Sequence, residues 1–339
     1  QSSRPVKTFT IGFHEKSYDE AKYAKEVARH LGTEHTELYV TPEEAMHVIP
    51  RLPDLYDEPF SDSSQVPTFL VSQLARKHVT VSLSGDGGDE LFCGYDRYFW
   101  GRKLWSRTGW IPRGVRGAVA KIIVNLSPSS TGALPQRLGE ILSADKPEAM
   151  YRELVSHWVD PSSLVLNSKE PPTVLNDRNC WAKVPDFTRQ MMYMDMVSYL
   201  PDDILAKVDR AAMSVSLESR VPLLDHRVVE FAWRIPMSMK IQNGRGKWIL
   251  RQVLYKYVPK ELIERPKMGF GIPVGIWLRG HLREWGEGLL AEKRLREDGF
   301  FNVTAVRKKW EEHLSGKYDW HYWLWDVLMF QAWKERWHG

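Results

Sequence analysis

The stretch that decides the fold is Val79-Thr80-Val81-Ser82-Leu83-Ser84-Gly85-Asp86-Gly87-Gly88-Asp89-Glu90. Its first five residues alternate as a short strand does. Three glycines then leave the backbone bare, so several N–H groups can turn toward one anion. Three carboxylates share the same turn and repel one another unless a cation lies among them. That points to a divalent metal, Mg²⁺, between the carboxylates and a phosphate. In open α/β sheets ligands bind at the carboxyl ends of strands, where this loop falls. The apolar Leu91-Phe92-Cys93 behind it reads as a helix start, whose dipole favours an anion at the same place. The plainer reading is a solvated turn, since turns are rich in Gly and Asp.

Working upstream, residues 6–13 (V-K-T-F-T-I-G-F) read as a strand that leaves at Gly12. Ser17 and Glu20 have capping-box spacing, Ala21, Ala24, Val27, Ala28 and Leu31 follow at helical spacing, and Gly32 stops the helix. Residues 36–40 form a second strand. Thr41-Pro42-Glu43-Glu44 opens another helix, ended by Pro50 and Pro53. A polar loop at 57–67 leads into a helix that reaches about Lys77, then the strand at 79–84. Strands alternating with helices predict a parallel sheet with helical crossovers. Beyond Tyr95 the strand signal fades, and the remainder reads as helices and loops.

The chain has 339 residues, 43% hydrophobic and 27% charged, enough for two domains or one with a helical extension. A net charge of +4 over that length is too dilute for a nucleic-acid surface. The local run Arg102, Lys103, Arg107, Arg113, Arg116 and Lys121 reads as a solvated helix face. The two cysteines, Cys93 and Cys180, make no disulfide framework or metal spacing and fit a reducing, cytoplasmic compartment. No apolar run is long enough to span a membrane. The C-terminal tryptophans read as a packing face or a subunit contact.

Further candidates lie downstream. Arg265-Pro266-Lys267-Met268-Gly269-Phe270-Gly271-Ile272-Pro273 is a shaped, non-helical loop presenting Lys267. Gly244-Arg245-Gly246-Lys247 opens a helix and presents a second lysine. Either ammonium could neutralise phosphate, but composition alone reads both as ordinary loop lysines. Asp203 and Lys207, four apart, read as a helix-surface ion pair, and solvation accounts for Asp57, Glu58 and Asp62 in the polar loop.

Together, S-G-D-G-G-D-E-L-F-C-G-Y (84–95), V-D-R-A-A-M-S-V-S-L-E-S-R-V-P-L-L-D-H (208–226), G-R-G-K-W-I-L-R (244–251) and R-P-K-M-G-F-G-I-P (265–273) resemble the synthetase domain of glutamine-hydrolysing asparagine synthetases. The order and spacing match from Thr8 almost to the end. The resemblance implies an ATP-pyrophosphatase fold of the adenine nucleotide α-hydrolase type. Residues 1–95 would be the α/β nucleotide-binding part, and 96–339 a large, mainly helical part. It implies ATP and Mg²⁺ as cofactors, a small carboxylate acceptor such as L-aspartate, and ammonia supplied from glutamine by an N-terminal glutaminase domain. Ile11 would lie beside adenine, Ser84 and Gly85 would contact the nucleotide, and Asp89 would hold Mg²⁺. Lys247 and Lys267 would hold pyrophosphate, and Lys267 would steady the tetrahedral intermediate. Asp86 would act in forming the adenylate.

Two positions depart from that pattern. Asp86 stands where these enzymes typically carry Glu, and Ser63 where they tend to carry an arginine, so a sugar acid or a peptide is an alternative acceptor to aspartate. The pyrophosphate loop S-G-G-x-D-S is not found before Val6, nor is a glutaminase domain. The chain therefore reads as a C-terminal fragment, without the central first strand, expected to bind ATP weakly and to make no amide alone. Its open sheet edges favour self-association as a homodimer. The rival readings are an intramolecular amide ligase like β-lactam synthetase, which would need a tyrosine–glutamate pair, and a non-catalytic interaction domain.

Overall fold

A computed structural model describes residues 4–13, 19–126, 134–158, 160–264 and 271–338. Strand β1 (Lys7–Phe13) pairs in parallel with β2 (Glu34–Val40), Ile11 opposite Leu38. Parallel neighbours need a crossover, and helix α1 (Ala21–Leu31) supplies it, burying Ala21 and Ala28. Gly32, at φ 64°, ends the helix by giving its N–H to the Ala28 and Arg29 carbonyls. At the other end the expected box is displaced. Glu20 is the cap position, and the Asp19 carboxylate accepts from the Ala21 N–H at 3.0 Å. Ser17 lies outside the described residues.

Helix α2 (Pro42–Val48) opens on the capping box as expected. Glu44 N–H donates to Thr41 Oγ1 at 3.2 Å, and Thr41 N–H to the Glu44 carboxylate at 2.9 Å. Helix α2 ends at Val48, just before Pro50, but helical structure resumes at once beyond it. Pro50 and Pro53 sit in the first turns of a 3₁₀ segment (Ile49–Arg51) and of helix α3 (Leu52–Tyr56), where a missing N–H costs nothing. Helix α4 (Gln65–Arg76) follows the polar loop.

Strand β3 is shorter than its sequence suggests, Val81–Leu83, and its partner is β4 (Glu218–Arg220), in parallel. Glu-Ser-Arg has no apolar alternation, so β4 was not expected after Tyr95. Among the described residues β1–β2 and β3–β4 are separate two-stranded sheets. Ala75 of α4 and Ala212 of the helix Ala206–Met213 pack together with Leu217, against Phe9, Val79 and Val215. That cluster gathers the C-terminal ends of both helices at the N-terminal ends of β3 and β4.

The chain divides into two compact units. The first takes 1–94, 200–273 and 336–338, and holds the four strands seen among the described residues. The second takes 95–199 and 274–335 with the last residue, and is helical. Its interior centres on Asp195, which accepts from the Tyr98 hydroxyl at 2.6 Å, from Arg97 at 2.6 Å and from the Tyr151 hydroxyl. Burial, then the Asp195 carboxylate, push both phenols well above the ordinary tyrosine range. Trp277, Trp310, Trp320 and Trp325 are buried and pack inside, whereas Trp337 is exposed. Within the basic run Arg116 is buried, donating to the Ile111 and Leu142 carbonyls. Among the described residues no helix is long and apolar enough to cross a membrane.

Candidate functional site

The acidic loop leaves β3 at Ser84, whose N–H donates to the Arg220 carbonyl at 2.9 Å and extends the β3–β4 ladder. Ser84 Oγ then donates to Asp86 Oδ2 at 2.7 Å, fixing that carboxylate beside the strand end. A Cβ on Gly85 would meet nothing within 4 Å, so its backbone is open to approach. Gly87, at φ 78°, turns the chain into the short helix α5 (Gly88–Phe92). The loop's three carboxylates do not converge, contrary to the sequence expectation. Asp86 turns to Ser84, Glu90 is buried, and Asp89 faces a lysine. Among the described residues no group of three His, Cys, Asp or Glu side chains could hold a metal ion.

That lysine is Lys247, whose Nζ lies 2.9 Å from Asp89 Oδ2, both side chains partly exposed. The glycine-rich loop before it docks directly on the acidic element. Lys247 N–H donates to the Phe92 carbonyl at 2.9 Å. A Cβ on Gly246 would stand 1.8 Å from the Cys93 carbonyl oxygen, and one on Gly94 would stand 2.0 Å from Asp89 Oδ1 and 2.3 Å from Lys247 Cε. Glycine at both positions is a steric requirement of the ion pair. Lys247 itself takes φ 56° before opening the helix Trp248–Leu254, a strained backbone of the kind found where a side chain must point one way.

The other expected residues divide. Ile11 is buried in the middle of β1. Arg265 and Lys267 lie outside the described residues. Just before them, Glu264 binds Arg251 at 2.9 Å, together with Arg245 and the Tyr255 hydroxyl. A tyrosine–glutamate pair therefore exists, but two guanidiniums share the carboxylate and commit its lone pairs.

Two expectations about the loop after α3 are corrected. Lys207 is not a surface residue: it is buried and binds Asp62 of that loop, with Asp203 more distant at 3.8 Å. Solvation does not account for Asp62, which also accepts from the Ser64 N–H and hydroxyl, each at 2.8 Å. Burial pushes the Asp62 carboxyl up, but Lys207 and Ser64 outweigh it and hold the group below the usual carboxylate range. Asp57 pairs with Arg210 at 2.9 Å. Spacing could not reveal a partner so far away in the chain; the one local hint is Asp62 two residues before Ser64, an Asx-turn pattern.

The donor set suits Mg²⁺ only in part-share with a phosphate. Mg²⁺ commonly takes one or two carboxylates plus substrate oxygens and water, and the half-buried Asp89 offers one such carboxylate.

The chain is thus helix-rich with short parallel strands, and a lysine is set against a glycine-acid loop at a strand end. The sequence profile of the asparagine synthase family matches residues 1–335, and the chain belongs to that family, whose synthetase domain has the ATP-pyrophosphatase type of fold. It is 31% identical over 338 residues to asparagine synthetase [glutamine-hydrolyzing] 1 of Bacillus subtilis, covering 97% of this chain and 52% of that protein. To a putative asparagine synthetase [glutamine-hydrolyzing] of Mycobacterium bovis it is 32% identical, covering 96% and 50%. To the asparagine synthetase of Gallus gallus it is 26% identical, covering 94% and 46%. The chain thus spans about half the length of these relatives.

Proposed function

We propose that this chain is the synthetase part of a glutamine-hydrolysing amide ligase. The acceptor carboxylate attacks the α-phosphorus of ATP, pyrophosphate leaves, and an acyl-adenylate forms. Ammonia, released from glutamine by a glutaminase domain of the longer protein, then adds to the acyl carbon, and AMP leaves as the amide forms. Ile11 borders the adenine. Ser84 and Gly85 bind the nucleotide, and Ser84 orients Asp86 toward the acceptor. Asp89 supplies a carboxylate for Mg²⁺, which when bound neutralises polyphosphate charge. Lys247 and Lys267 bind the departing pyrophosphate. Lys267 also stabilises the oxyanion of the tetrahedral intermediate, an effect of about 3 kcal/mol for one fixed donor in a dry site.

The observation that carries this reading is the Lys247–Asp89 pair at 2.9 Å, which joins two motifs far apart in sequence at the carboxyl end of β3. An ammonium already placed on the acidic loop can transfer to phosphate oxygens as they arrive. Among the described residues β1 pairs only with β2 and β3 only with β4, which leaves an edge of each for a further strand. The test is pyrophosphate release by the full-length protein with ATP–Mg²⁺, glutamine, and either L-aspartate or D-glucuronate. Acceptor-dependent release with one AMP and one amide formed per pyrophosphate supports the reading. ATP cleavage to ADP, or none with any carboxylate, overturns it.

A further inference from the structure

In the helical unit, helix α6 (Asp96–Thr108) is followed by helix α7 (Arg113–Leu126), and α7 carries its apolar stripe on the outside. Val115, Val119 and Ile122, spaced to share one face, are 53%, 46% and 56% exposed. The inner face holds Arg116 and Ala120, both buried. Arg116 donates to the Ile111 and Leu142 carbonyls at 3.0 and 3.1 Å and lies over the Trp105 ring, 5.3 Å from its centre. Those contacts fix which way the helix faces, because turning the stripe inward would strand the guanidinium. A helix of a globular protein normally buries its branched aliphatics, so this stripe calls for an apolar neighbour from outside. The turn before α7 adds Trp110, at 79% the most exposed large hydrophobic side chain among the described residues. On α6 the exposed Trp100 has the spacing to share a face with Lys103 and Arg107.

Charge singles out the neighbour. Residues 97–139 contain eight lysines and arginines and no aspartate or glutamate. Over the whole chain the two signs nearly balance, 47 cations against 43 carboxylates, so the segregation is local. Arg102, Lys103, Arg107, Arg113 and Lys121 are exposed, and none forms an ion pair among the described residues. A second copy of this surface would bring like charges together. A nucleic acid would use the cations but gains little from a stripe of valine and isoleucine. An anionic bilayer meets both features. Headgroup phosphates take the cations, the acyl boundary takes the branched side chains, and an indole such as that of Trp110 settles at the junction.

We propose that α6, Trp110 and α7 form a peripheral docking surface for an anionic lipid bilayer, with α7 lying in the interface and its Val115–Val119–Ile122 stripe against the acyl boundary. The contact is superficial, since among the described residues no helix is long and apolar enough to cross a membrane. None of the residues proposed for the nucleotide site belongs to the helical unit, so vesicle binding is read independently of catalysis.

The test is cosedimentation of the full-length protein with vesicles of phosphatidylcholine, alone or with one-third phosphatidylglycerol. Binding should appear only with the anionic lipid and weaken as salt rises. Each cation near such a surface contributes about fivefold, so the double variant Lys103→Glu, Arg107→Glu should weaken binding about 25-fold or more. Val119→Glu, which puts a charge into the stripe, should weaken it about tenfold or more, and Trp110→Ala severalfold. All three variants should keep the wild-type thermal midpoint, because the side chains changed are exposed. Absence of binding to anionic vesicles overturns the proposal. So does binding that Val119→Glu and Trp110→Ala leave unchanged, which marks a purely electrostatic polyanion surface. An RNA or DNA oligonucleotide held more tightly than the anionic vesicles also overturns it, as does a wild-type dimer that Val119→Glu splits while vesicles stay unbound.

Discussion

Replacing Gly246 by alanine tests the joint between the two motifs. The new Cβ would lie 1.8 Å from the Cys93 carbonyl oxygen and 2.9 Å from its carbon, both backbone atoms that no rotamer change can move. Reaching ordinary contact requires the loop before Lys247 to retreat by about 1.5 Å, and overpacking of this kind costs about 1–3 kcal/mol. The retreat also stretches the Lys247 N–H bond to the Phe92 carbonyl, now 2.9 Å, at about 1 kcal/mol. Lower unfolded-state entropy returns about 0.5 kcal/mol. The net loss is about 1.5–3.5 kcal/mol, read as a fall in urea midpoint at unchanged m-value. Gly114→Ala is the control: its Cβ would meet nothing within 4 Å, and a helical glycine gains by the change. Gly246→Ala within 0.5 kcal/mol of wild type would refute the docking of the glycine-rich loop on Cys93.

Other consequences concern the helical unit. Asp195→Ala strands Arg97, Tyr98 and Tyr151 without their common acceptor, and should cost about 3–5 kcal/mol in denaturant unfolding. Tyr151→Phe, losing one hydrogen bond, should cost about 1–2 kcal/mol. Lys309 Nζ stands 3.4 Å from the centre of the Trp320 ring, with Trp158 and Trp323 beyond. Burial pulls this amine down to about 8, against Glu312 and Glu140, which pull it up. An unfolded lysine titrates near 10.5, so between about pH 8 and 10.5 the unfolded chain holds more protons, and stability should rise with pH. The rise should be about 1 kcal/mol after solvent screening, and Lys309→Met should abolish it. A flat profile in wild type would contradict the placement of Lys309.

How much of this was legible in the sequence depended on distance along the chain. Local chemistry read well: the Thr41–Glu44 box, the Gly32 stop and the strand–loop–helix at 81–92 all rest on neighbours within a few residues. Strand β4 did not, because Glu-Ser-Arg becomes a strand only by pairing with β3. Asp62 and Lys207 each looked like a solvated residue, and only folding shows that each is the other's counter-ion. The cap of α1 falls on Glu20, with Asp19 accepting from the Ala21 N–H, while Ser17 lies outside the described residues. At the site, the family resemblance named Asp89 and Lys247, whereas composition alone read Lys247 as an ordinary loop lysine. Their contact depends on two glycines whose necessity is steric and appears only when the backbones meet.

The central claim is that Asp89 and Lys247 form one polyphosphate site. Its most direct test is acceptor-dependent ATP–pyrophosphate exchange by the full-length protein carrying Lys247→Met, with the thermal midpoint recorded alongside. The ion pair is partly exposed, so stability should change by no more than about 1 kcal/mol, while exchange falls at least a hundredfold through loss of a charged contact to the leaving group. Exchange that persists at the wild-type rate in the folded variant would contradict the account.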